Sequence, residues 1–442
     1  MSRAAALAVS AALLGLAGQP LAAAEPSEAR EIKHVLVIDL ENEDFDSSFG
    51  ANSPATYLNK TLVPRGQLLS HYYGIGHFST DNYLAQISGQ APNTVSGNDC
   101  ITDTTTFAST YTDVTPGTPV ADQQRFPGQV DGSGCVYPAA VQTIGNQLDA
   151  RHGEDDRDDD RKARTAWRMY AEDMGNDPAR DFGTPDALGG TDCAHPAANG
   201  TFPNKATVTD QYAIRHVPPL FFHGVTDNAG YCAQHVVPMG TLTTGSSGDK
   251  FSGHLAADLA RKDTTPEFAM ITPNTCNDGH DATCVGTNVE GGHTGGLVAA
   301  DLWLKHWMPT ILNSPAYKDG QMLVVVTFDE ASTSDATACC NEQPGPDNAN
   351  PGFPPLLAKL GGKPPTGPGQ YPGGGKVGAV LLNSKLIAPG SVNDTPYNHY
   401  SALRSYEDIL RITTGGSDGK GHLGFAGQTG LRAFGTDVFS RR

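Results

Sequence analysis

Two apolar runs constrain the fold of this chain more than any other feature, because each is rich in β-branched residues and leads into acidic side chains. The first comprises residues 34–39 (HVLVID) and the second residues 323–328 (LVVVTF). Short, continuous apolar runs bounded by polar sequence are typical of buried β-strands. The sequence therefore predicts two strands in the interior of a sheet.

Weaker strand patterns and two helical patterns alternate with these runs. The strand candidates are residues 165–170, 267–271 and 377–382, and the helix candidates are residues 296–307 and 401–412. Strands separated by helices indicate an α/β fold with a mostly parallel central sheet. Residues 93–131 and 341–375 are rich in Gly, Pro and polar residues, and we expect them to form loop excursions from that sheet.

The first residues have the pattern of an export signal. Arg3 is the only charge before Glu25, residues 4–16 are rich in Ala and Leu, and residues 22–24 are all Ala. An uncleaved membrane anchor is the alternative, but a span needs about 20 apolar residues. The pattern predicts a signal peptide at residues 1–24, a single domain at residues 25–442, and a secreted or periplasmic protein.

All eight cysteines follow the predicted cleavage point. An even number of cysteines in an exported chain indicates disulfides, and Cys276 and Cys284 are close enough in sequence for a short loop. A zinc site is the alternative, but the chain has no CxxC pair and no zinc-ribbon spacing.

The charge balance argues against one class of partner. Asp and Glu number 48 against 30 Lys and Arg, which gives a formal net charge of −18. General nucleic-acid binders carry basic surfaces, so we expect no nucleic-acid partner. No stretch of the mature chain has the length of a transmembrane helix, and the oligomeric state is left open.

Side chains with oxygen atoms lie at the ends of the two strongest strand candidates, residues 34–39 and 323–328. Asp39, Glu41 and Asn42 end the first, and Asp329 and Glu330 end the second. Ligands of open parallel sheets bind beyond the carboxyl ends of the strands, and such oxygens suit a divalent cation. Capping of the following helices is the alternative role for these side chains.

Polar loops containing His or Ser add to this cluster. Residues 76–83 (GHFSTDNY) precede an apolar stretch and resemble a loop that enters a helix. Ser79 there suits either an N-cap or a nucleophile whose product is an anion, since a helix N-terminus stabilises phosphate. Two further polar clusters, residues 277–281 (NDGHD) and 398–399 (NH), indicate a functional site. A serine hydrolase is disfavoured because Ser79 has no GxSxG context.

Six segments form an ordered set of motifs along the chain: residues 40–45 (LENEDF), 76–89 (GHFSTDNYLAQISG), 328–330 (FDE), 395–410 (TPYNHYSALRSYEDIL), 422–427 (HLGFAG) and 434–439 (FGTDVF). These segments resemble motifs of the secreted phosphoesterase family of bacterial acid phosphatases and phospholipases C, including the smaller mycobacterial acid phosphatases of the phosphatidylinositol-3-phosphatase type. Phe78 and Asp81 replace prolines of the family block, and Asn398 replaces a frequent aspartate.

The resemblance implies an alkaline-phosphatase-like three-layer α/β fold with helices on both faces of the sheet. It also implies one divalent cation, with calcium, magnesium, manganese and zinc all left open, and its ligands would be Glu41, Asn42, Ser79, Asp329 and Glu330. Ser79 keeps the family intervals to Asn82 and Gly89 and is the expected nucleophile, with Thr80 as the alternative.

The remaining roles follow from the same resemblance and from the chemistry of phosphate esters. We expect His280 or His399 to protonate the leaving alcohol, and we expect phosphate contacts from His77, Asn82, Arg215 and His216, with His77 in a supporting position. The expected function is a metal-dependent phosphatase that hydrolyses phosphate monoesters through a phosphoserine intermediate. The alternatives are a phospholipase C that uses the same nucleophile and a non-catalytic binding protein.

Overall fold

The computed structural model describes residues 29–119, 124–154, 165–177, 181–246, 248–364 and 372–440. The predicted signal peptide lies outside the described residues. Among the described helices, none is both long enough and apolar enough to cross a membrane.

Along the described chain, α-helices separate single strands or groups of up to four strands. The strands, in chain order, are β1 (His34–Leu40), β2 (Gln67–Leu69), β3 (Tyr72–Tyr73), β4 (Ile101–Asp103), β5 (Ala108–Thr110), β6 (Thr115–Pro119), β7 (Val130–Ser133), β8 (Trp167–Ala171), β9 (Phe182–Pro185), β10 (Thr191–His195), β11 (Thr201–Pro203), β12 (Val236–Pro238), β13 (Thr241–Thr243), β14 (Lys250–Ser252), β15 (Phe268–Thr272), β16 (Met322–Phe328), β17 (Ala379–Leu382), β18 (Ser391–Asn393) and β19 (Tyr397–Asn398). The α-helices are α1 (Phe45–Phe49), α2 (Ser79–Ser88), α3 (Ile144–Glu154), α4 (His223–Thr226), α5 (Ala229–His235), α6 (His254–Leu259), α7 (Gly296–Asn313), α8 (Pro315–Lys318), α9 (Pro355–Lys359) and α10 (His399–Ile409).

Eight of the described strands form a central sheet in the order β12-β8-β15-β1-β16-β17-β2-β18. The run from β12 to β16 is parallel throughout, whereas β17 is antiparallel to both of its neighbours. The predicted mostly parallel sheet is therefore confirmed. All five predicted strands belong to it, and the structure moves their ends by one or two residues.

Burial explains why the two best runs form central strands. Every residue of β1 and of β16 is buried. Successive side chains of a strand point to opposite faces, so both faces of the sheet are covered at its centre. The predicted α/β fold, in which both faces of the central sheet are covered, is confirmed for these two strands.

The register of β1 and β16 places the two polar segments side by side. Leu40 pairs with Phe328 at the last position of the parallel ladder. The next residue of each chain segment, Glu41 and Asp329, therefore emerges at the same carboxyl edge of the sheet.

Both predicted helices form, with different ends. The helix predicted at residues 296–307 continues to Asn313, although Pro309 lies inside it. The helix predicted at residues 401–412 begins earlier, at His399, because the side chain of Asn398 accepts a hydrogen bond from the Ser401 backbone and caps the helix.

Small sheets and disulfides surround the central sheet. Strands β4, β5 and β11 form one small sheet, and β6 pairs with β7 in another. The disulfides join Cys100 with Cys135, Cys193 with Cys232, Cys276 with Cys284, and Cys339 with Cys340. The predicted disulfides, including the short Cys276–Cys284 loop, are confirmed.

Candidate active site

The carboxyl ends of β1 and β16 hold the expected acidic and amide side chains together. The backbone N–H of Asn42 donates to Asp329 Oδ1 at 2.9 Å, and Asn42 Nδ2 donates to Glu330 Oε1 at 2.9 Å. Asn42 adopts a left-handed backbone conformation with φ of 44°, which asparagine tolerates better than most residues. These bonds join the two strand ends into one rigid corner.

Ser79 lies at the first position of α2 and faces this corner. Its hydroxyl donates to Glu41 Oε2 at 2.7 Å, and its Oγ is 3.5 Å from Asn42 Oδ1. The alternative role of Ser79 as an N-cap is not observed, because Phe78 occupies the cap position without a side-chain bond. The Ser79 hydroxyl is instead directed at the carboxylate of Glu41.

Tyr83 is a site residue that the sequence analysis missed. Its hydroxyl donates to Glu41 Oε1 at 2.6 Å. Residues i and i+4 of a helix share a face, so the spacing of Ser79 and Tyr83 was the available signal. Together the two hydroxyls fix both oxygens of Glu41.

Glu41, His216 and Asp278 form a buried group whose ligand atoms all lie within 4.8 Å of one another. His216 Nε2 is 3.1 Å from Glu41 Oε1, and His216 Nδ1 is 3.8 Å from Asp278 Oδ2. Neither ring nitrogen of His216 makes a hydrogen bond within the described part of the chain, and neither does Asp278 Oδ2. Such unsatisfied buried atoms are costly unless a ligand completes them.

The chemistry of this group fits a bound divalent cation. Burial, with a further contribution from Arg215, lowers the pKa of His216 well below its ordinary value, so the imidazole is neutral and can ligate a metal. Burial and the charge of Asp278 raise the pKa of Glu41 to about 8. A cation would relieve this crowding of negative charge.

Asp329 adds a second unsatisfied oxygen to the corner. Its Oδ2 atom is buried and, among the described residues, accepts no hydrogen bond. Burial and the charges of Glu41 and Glu330 raise the pKa of Asp329 well above its usual range. The expected ligands Glu41, Asn42, Ser79 and Asp329 therefore lie together, with His216 and Asp278 as additional candidate ligands.

Asp278 was overlooked as a candidate ligand in the sequence analysis. It follows β15, which is paired in parallel with β1, and its backbone oxygen accepts a hydrogen bond from the Glu41 N–H at 2.8 Å. The polar segment 277–281 pointed to this region, but the weak pattern of its strand gave no register.

His280 and Arg215 lie close enough to Glu41 and Asp278 to interact with both carboxyl groups electrostatically. The His280 side chain is 44% exposed, and its Nδ1 atom is 2.8 Å from Asp281 Oδ1. The bond to Asp281 raises the pKa of His280 to about 9, so the imidazole is protonated at neutral pH. The Arg215 guanidinium is buried, with its Nε atom 3.8 Å from Asp99 Oδ2.

His399 is placed differently from the expected proton donor. It is fully buried, its Nε2 atom is 2.6 Å from the backbone oxygen of Asp329, and its Nδ1 atom is 3.1 Å from the Tyr72 hydroxyl. Burial lowers the pKa of His399 to about 4. Both nitrogens are thus engaged by protein atoms, and the ring supports the end of β16.

The side chains of Asn82 and His77 also make their hydrogen-bond contacts with protein atoms. Asn82 Oδ1 accepts from the backbone of Ile75 at 2.6 Å, and its Nδ2 atom donates to the Gly76 oxygen at 3.0 Å. His77 Nδ1 is 2.7 Å from Glu330 Oε2. The His77 imidazole thus contacts Glu330, and Asn82 shapes the loop that precedes Ser79.

Comparisons with known proteins give similar sequences in fungi. The chain is 23% identical over 382 residues to a probable acid phosphatase of Kluyveromyces lactis, with 86% of this chain and 58% of the relative covered. It is 23% identical over 390 residues to an acid phosphatase of Aspergillus fumigatus, with 88% and 57% covered. The chain thus spans less than two thirds of the length of these curated relatives.

Similar solved structures include a protein of the alkaline phosphatase superfamily from Vibrio parahaemolyticus, at 12% identity and a TM-score of 0.41, which covers 86% of this chain and 66% of that one. They also include the lipoteichoic acid synthase LtaP from Listeria monocytogenes, at 9% identity and a TM-score of 0.41, which covers 95% and 80%. The Phosphoesterase family pattern matches residues 52–413, which is most of the sequence. The chain belongs to the Phosphoesterase family.

Proposed function

We propose that this chain is a metal-dependent phosphatase that hydrolyses phosphate monoesters through a phosphoserine intermediate at Ser79. The observation that carries the proposal is the 2.7 Å contact from the Ser79 hydroxyl to Glu41 Oε2, at the N-terminus of α2 and beside unsatisfied ligand atoms. Family membership and the fungal acid phosphatases support the reaction class.

In the first step, Ser79 Oγ attacks phosphorus while the bond from phosphorus to the ester oxygen breaks. Glu41 Oε2 orients the hydroxyl and takes its proton as the new bond to phosphorus forms, and Tyr83 holds the other oxygen of Glu41 in place. The leaving alcohol needs a proton, and we assign its donation to His280, which is protonated at neutral pH and open to solvent.

In the second step, water attacks the phosphoserine and releases inorganic phosphate and the free Ser79 hydroxyl. The N-terminal end of α2 favours negative charge at the phosphoryl group. The buried guanidinium of Arg215 adds positive charge near Glu41 and Asp278. These groups offset the charge that develops as the phosphoryl group transfers.

Six side chains would hold the cation: Glu41, Asn42, Ser79, His216, Asp278 and Asp329. Glu330, the remaining expected ligand, is bonded to Asn42 and His77 and would orient the others. A cation bound there lowers the pKa of the Ser79 hydroxyl and polarises a phosphoryl oxygen.

We also propose that the protein is exported. The apolar N-terminal pattern and the disulfides among the described cysteines support an oxidising compartment. N-terminal sequencing of protein recovered outside the cytoplasm should begin near Glu25. A mature protein that retains residues 1–24 would contradict this proposal.

The test of the reaction class uses purified protein with a matched phosphomonoester and phosphodiester of the same alcohol, each with and without a metal chelator. We expect free phosphate from the monoester, lost on chelation and restored by added metal. A phosphorylated alcohol from phospholipid diesters would instead assign a phospholipase C with the same residues. Absence of turnover on both substrate classes, with metal restored, would contradict the proposed activity.

A further inference from the structure

A third strand of the parallel part of the sheet also leads into acidic side chains. Strand β8 ends at Ala171, and Glu172 and Asp173 follow it directly. Because β8 pairs in parallel with β15, with Ala171 opposite Thr272, Glu172 emerges at the carboxyl edge of the sheet, where the candidate site lies. The Glu172 backbone N–H donates to the Thr272 oxygen at 3.1 Å and extends the pairing by one residue. Glu172 therefore lies beside the chain segment that leaves β15.

The Glu172 carboxyl group binds that segment at two points. Its Oε2 atom accepts one hydrogen bond from the Asn274 backbone and another from Asn277 Nδ2, each at 3.0 Å. The Asn277 side chain is also held at its other end, because its Oδ1 atom accepts from the Val289 backbone at 2.9 Å. Asn277 is 1% exposed, so these contacts form away from bulk water. One oxygen of Glu172 thus fixes both the start of the 274–280 loop and the residue directly before Asp278.

The 274–280 loop carries two groups of the candidate active site. Asp278 Oδ1 accepts from the His280 backbone N–H at 3.0 Å, and Asp278 Oδ2 lies 3.8 Å from His216 Nδ1. The Asp278 backbone oxygen accepts from the Glu41 N–H at 2.8 Å. A shift of this loop therefore moves a candidate metal ligand, together with His280, relative to the end of β1.

Glu172 does not itself belong to the group of candidate ligands. The buried group whose ligand atoms lie within 4.8 Å of one another comprises Glu41, His216 and Asp278. Glu172 Oε2 is instead engaged by the two N–H groups of the loop. The residue is thus placed to act on the site through the loop, and not through contact with a metal or a substrate.

The charge state of Glu172 is compatible with such a role. Burial and the charge of Asp173 raise the pKa of Glu172 to about 8, although the bonds from Asn274 and Asn277 lower it. The Oε2 atom accepts hydrogen bonds whether or not the carboxyl group carries a proton, and the carbonyl oxygen of a glutamine would do the same. The contacts with the loop therefore depend on an acceptor atom at this place more than on a negative charge.

We propose that Glu172 is a positioning residue of the active site, whose two hydrogen bonds to the 274–280 loop place Asp278 and thereby set the affinity for the metal. This role of Glu172 rests on the proposed metal-dependent function. Partners that orient a metal ligand typically change metal affinity by about ten- to hundredfold. A purely structural role is the alternative, and it predicts lower stability with an unchanged metal affinity of the folded protein.

Calorimetric titration of the chelator-treated full chain with Zn²⁺ tests the role of Glu172, because carboxylates and imidazole both bind this ion. We expect Glu172→Ala to lower the Zn²⁺ affinity at least about tenfold. We expect Glu172→Gln, which retains the acceptor oxygen, to lower it less than about threefold. An unchanged affinity in Glu172→Ala would overturn the proposal, and so would an equal loss in Glu172→Gln.

Asp301→Ala is the matched control for lost stability. Asp301 is 6% exposed, and its carboxylate likewise accepts from two N–H groups, those of the Tyr57 and Leu58 backbones at 2.9 and 2.8 Å, which lie outside the 274–280 loop. Its substitution should lower the unfolding free energy and leave the Zn²⁺ affinity unchanged. A loss of affinity equal to that of Glu172→Ala would assign both effects to general destabilisation and would overturn the proposal.

A double-substitution cycle tests whether the effect of Glu172 passes through Asn277. Asn277→Ala removes their contact from the side of the loop, so it should also lower the Zn²⁺ affinity at least about tenfold. The double variant should lose less than the sum of the two single losses, because both substitutions break the same connection. Additive losses would contradict the proposed connection. Should Glu172→Ala not fold, Asn277→Ala replaces it, and an unchanged affinity in that variant would overturn the proposal.

Turnover on a phosphomonoester, measured on the same samples, separates this role from the proposed function. The metal concentration that gives half-maximal turnover should rise at least about tenfold in Glu172→Ala, in step with the lost Zn²⁺ affinity. Absence of turnover in the unsubstituted protein would contradict the phosphatase, whereas the Zn²⁺ titration would still decide the role of Glu172. Absence of Zn²⁺ binding by the unsubstituted protein would overturn both the metal site and this role.

Discussion

Glu41 is the residue on which the candidate site depends most. Its two oxygens accept from Ser79 at 2.7 Å and from Tyr83 at 2.6 Å, and His216 Nε2 lies 3.1 Å from one of them. A fully buried carboxylate with these neighbours has a raised pKa, and Asp278 raises it further. This concentration of negative charge destabilises the folded state, and a bound cation would offset that destabilisation.

The first prediction concerns Asp278. Replacing it with Asn removes a negative charge and one candidate ligand, so we expect the affinity of the active-site metal to fall at least about tenfold. Metal content after dialysis at graded metal concentrations, together with turnover on a phosphomonoester, measures the effect. Turnover should recover at high metal concentration.

Asp249→Asn is the control for this prediction. Asp249 is an acidic partner of His306, whose Nδ1 atom lies 2.6 Å from the carboxylate, and it takes no part in the site. Its substitution should leave metal affinity unchanged. Equal metal affinity in Asp278→Asn and in the unsubstituted protein would remove Asp278 from the ligand set.

The second prediction concerns His422, which lies between Asp418 at 2.7 Å and Asp408 at 2.8 Å. Burial lowers the pKa of His422, but the bonds to Asp408 and Asp418 outweigh it and raise the pKa above the ordinary 6.5. The folded state then binds the proton more tightly than the unfolded state. The stabilisation is therefore complete below pH 6.5 and is lost as pH rises through the raised pKa.

Denaturant unfolding at pH 6 and pH 9 measures this contribution. We expect the unfolding free energy attributable to His422 to fall by about 1–2 kcal/mol between these pH values, a typical size for bonds to a charged group. The total fall should be smaller by this amount in His422→Gln, where other groups of raised pKa such as Glu41 and His280 still titrate, and unchanged in His71→Gln, whose imidazole is 44% exposed. The same pH dependence in His422→Gln would show that other groups cause it.

Sequence reasoning found the acidic residues at strand ends and missed those that required side-chain directions. Glu41 and Asp329 were accessible because each directly follows a strong strand pattern. Asp278 follows its strand, β15, by six residues, so only the folded loop shows that it reaches Glu41. The roles of His399 and Asn82 could not be predicted from the sequence. His399 contacts a backbone atom of Asp329, which is distant in sequence, and Asn82 contacts backbone atoms within its own loop.

At the scale of elements, the strands and helix α2 determine where the functional groups lie. The strands β1 and β16 were predictable because their apolar runs are continuous, as burial on both faces requires. The helix ends were harder to predict from the sequence: α7 continues past Pro309, and α10 begins directly after the cap residue Asn398. The short strands of the 93–131 region pair within small sheets, so they lack the apolar pattern of the central strands.

The third prediction concerns Gly89, which ends the helix that carries Ser79. Gly89 has φ of 67°, and a methyl group there would lie 2.2 Å from the backbone oxygen of Leu423. We expect Gly89→Ala to cost about 3 kcal/mol, since it combines backbone strain with a steric clash. Gly415, with φ of 75° and no atom within 4 Å of such a methyl group, is the matched control.

Gly415→Ala should cost about 1 kcal/mol from backbone strain alone. Denaturant unfolding of both variants measures the difference between them. Equal losses would mean that the contact between the end of α2 and Leu423 adjusts without cost.

At the scale of the whole molecule, disulfides connect segments outside the central sheet to one another. Cys100 follows Asp99, whose carboxylate accepts from the Thr80 backbone at 2.8 Å, and Cys135 lies 35 residues further along the chain. The Cys100–Cys135 bond thus holds the excursion against the N-terminus of α2. The candidate site depends in this way on segments that the sheet pattern did not predict.

The fourth prediction compares two disulfides of different loop length. Removing Cys100–Cys135 by double Ser substitution should cost about 4 kcal/mol by chain entropy, and removing Cys276–Cys284, with a separation of 8 residues, should cost about 2.5 kcal/mol. Unfolding midpoints of the two double variants give the comparison. A larger loss for the short loop would indicate that native contacts, and not chain entropy, dominate its contribution.

The proposed phosphatase mechanism depends on Ser79 as the nucleophile. The most direct measurement is kcat for phosphate release from a phosphomonoester by Ser79→Ala and by Thr80→Ala at saturating metal. Thr80 follows Ser79 on the same helix, but its hydroxyl makes no hydrogen bond to another described residue, so it is the matched control. We predict a loss of at least about a thousandfold for Ser79→Ala and less than about threefold for Thr80→Ala. Substantial turnover in Ser79→Ala, or a comparable loss in Thr80→Ala, would contradict the account.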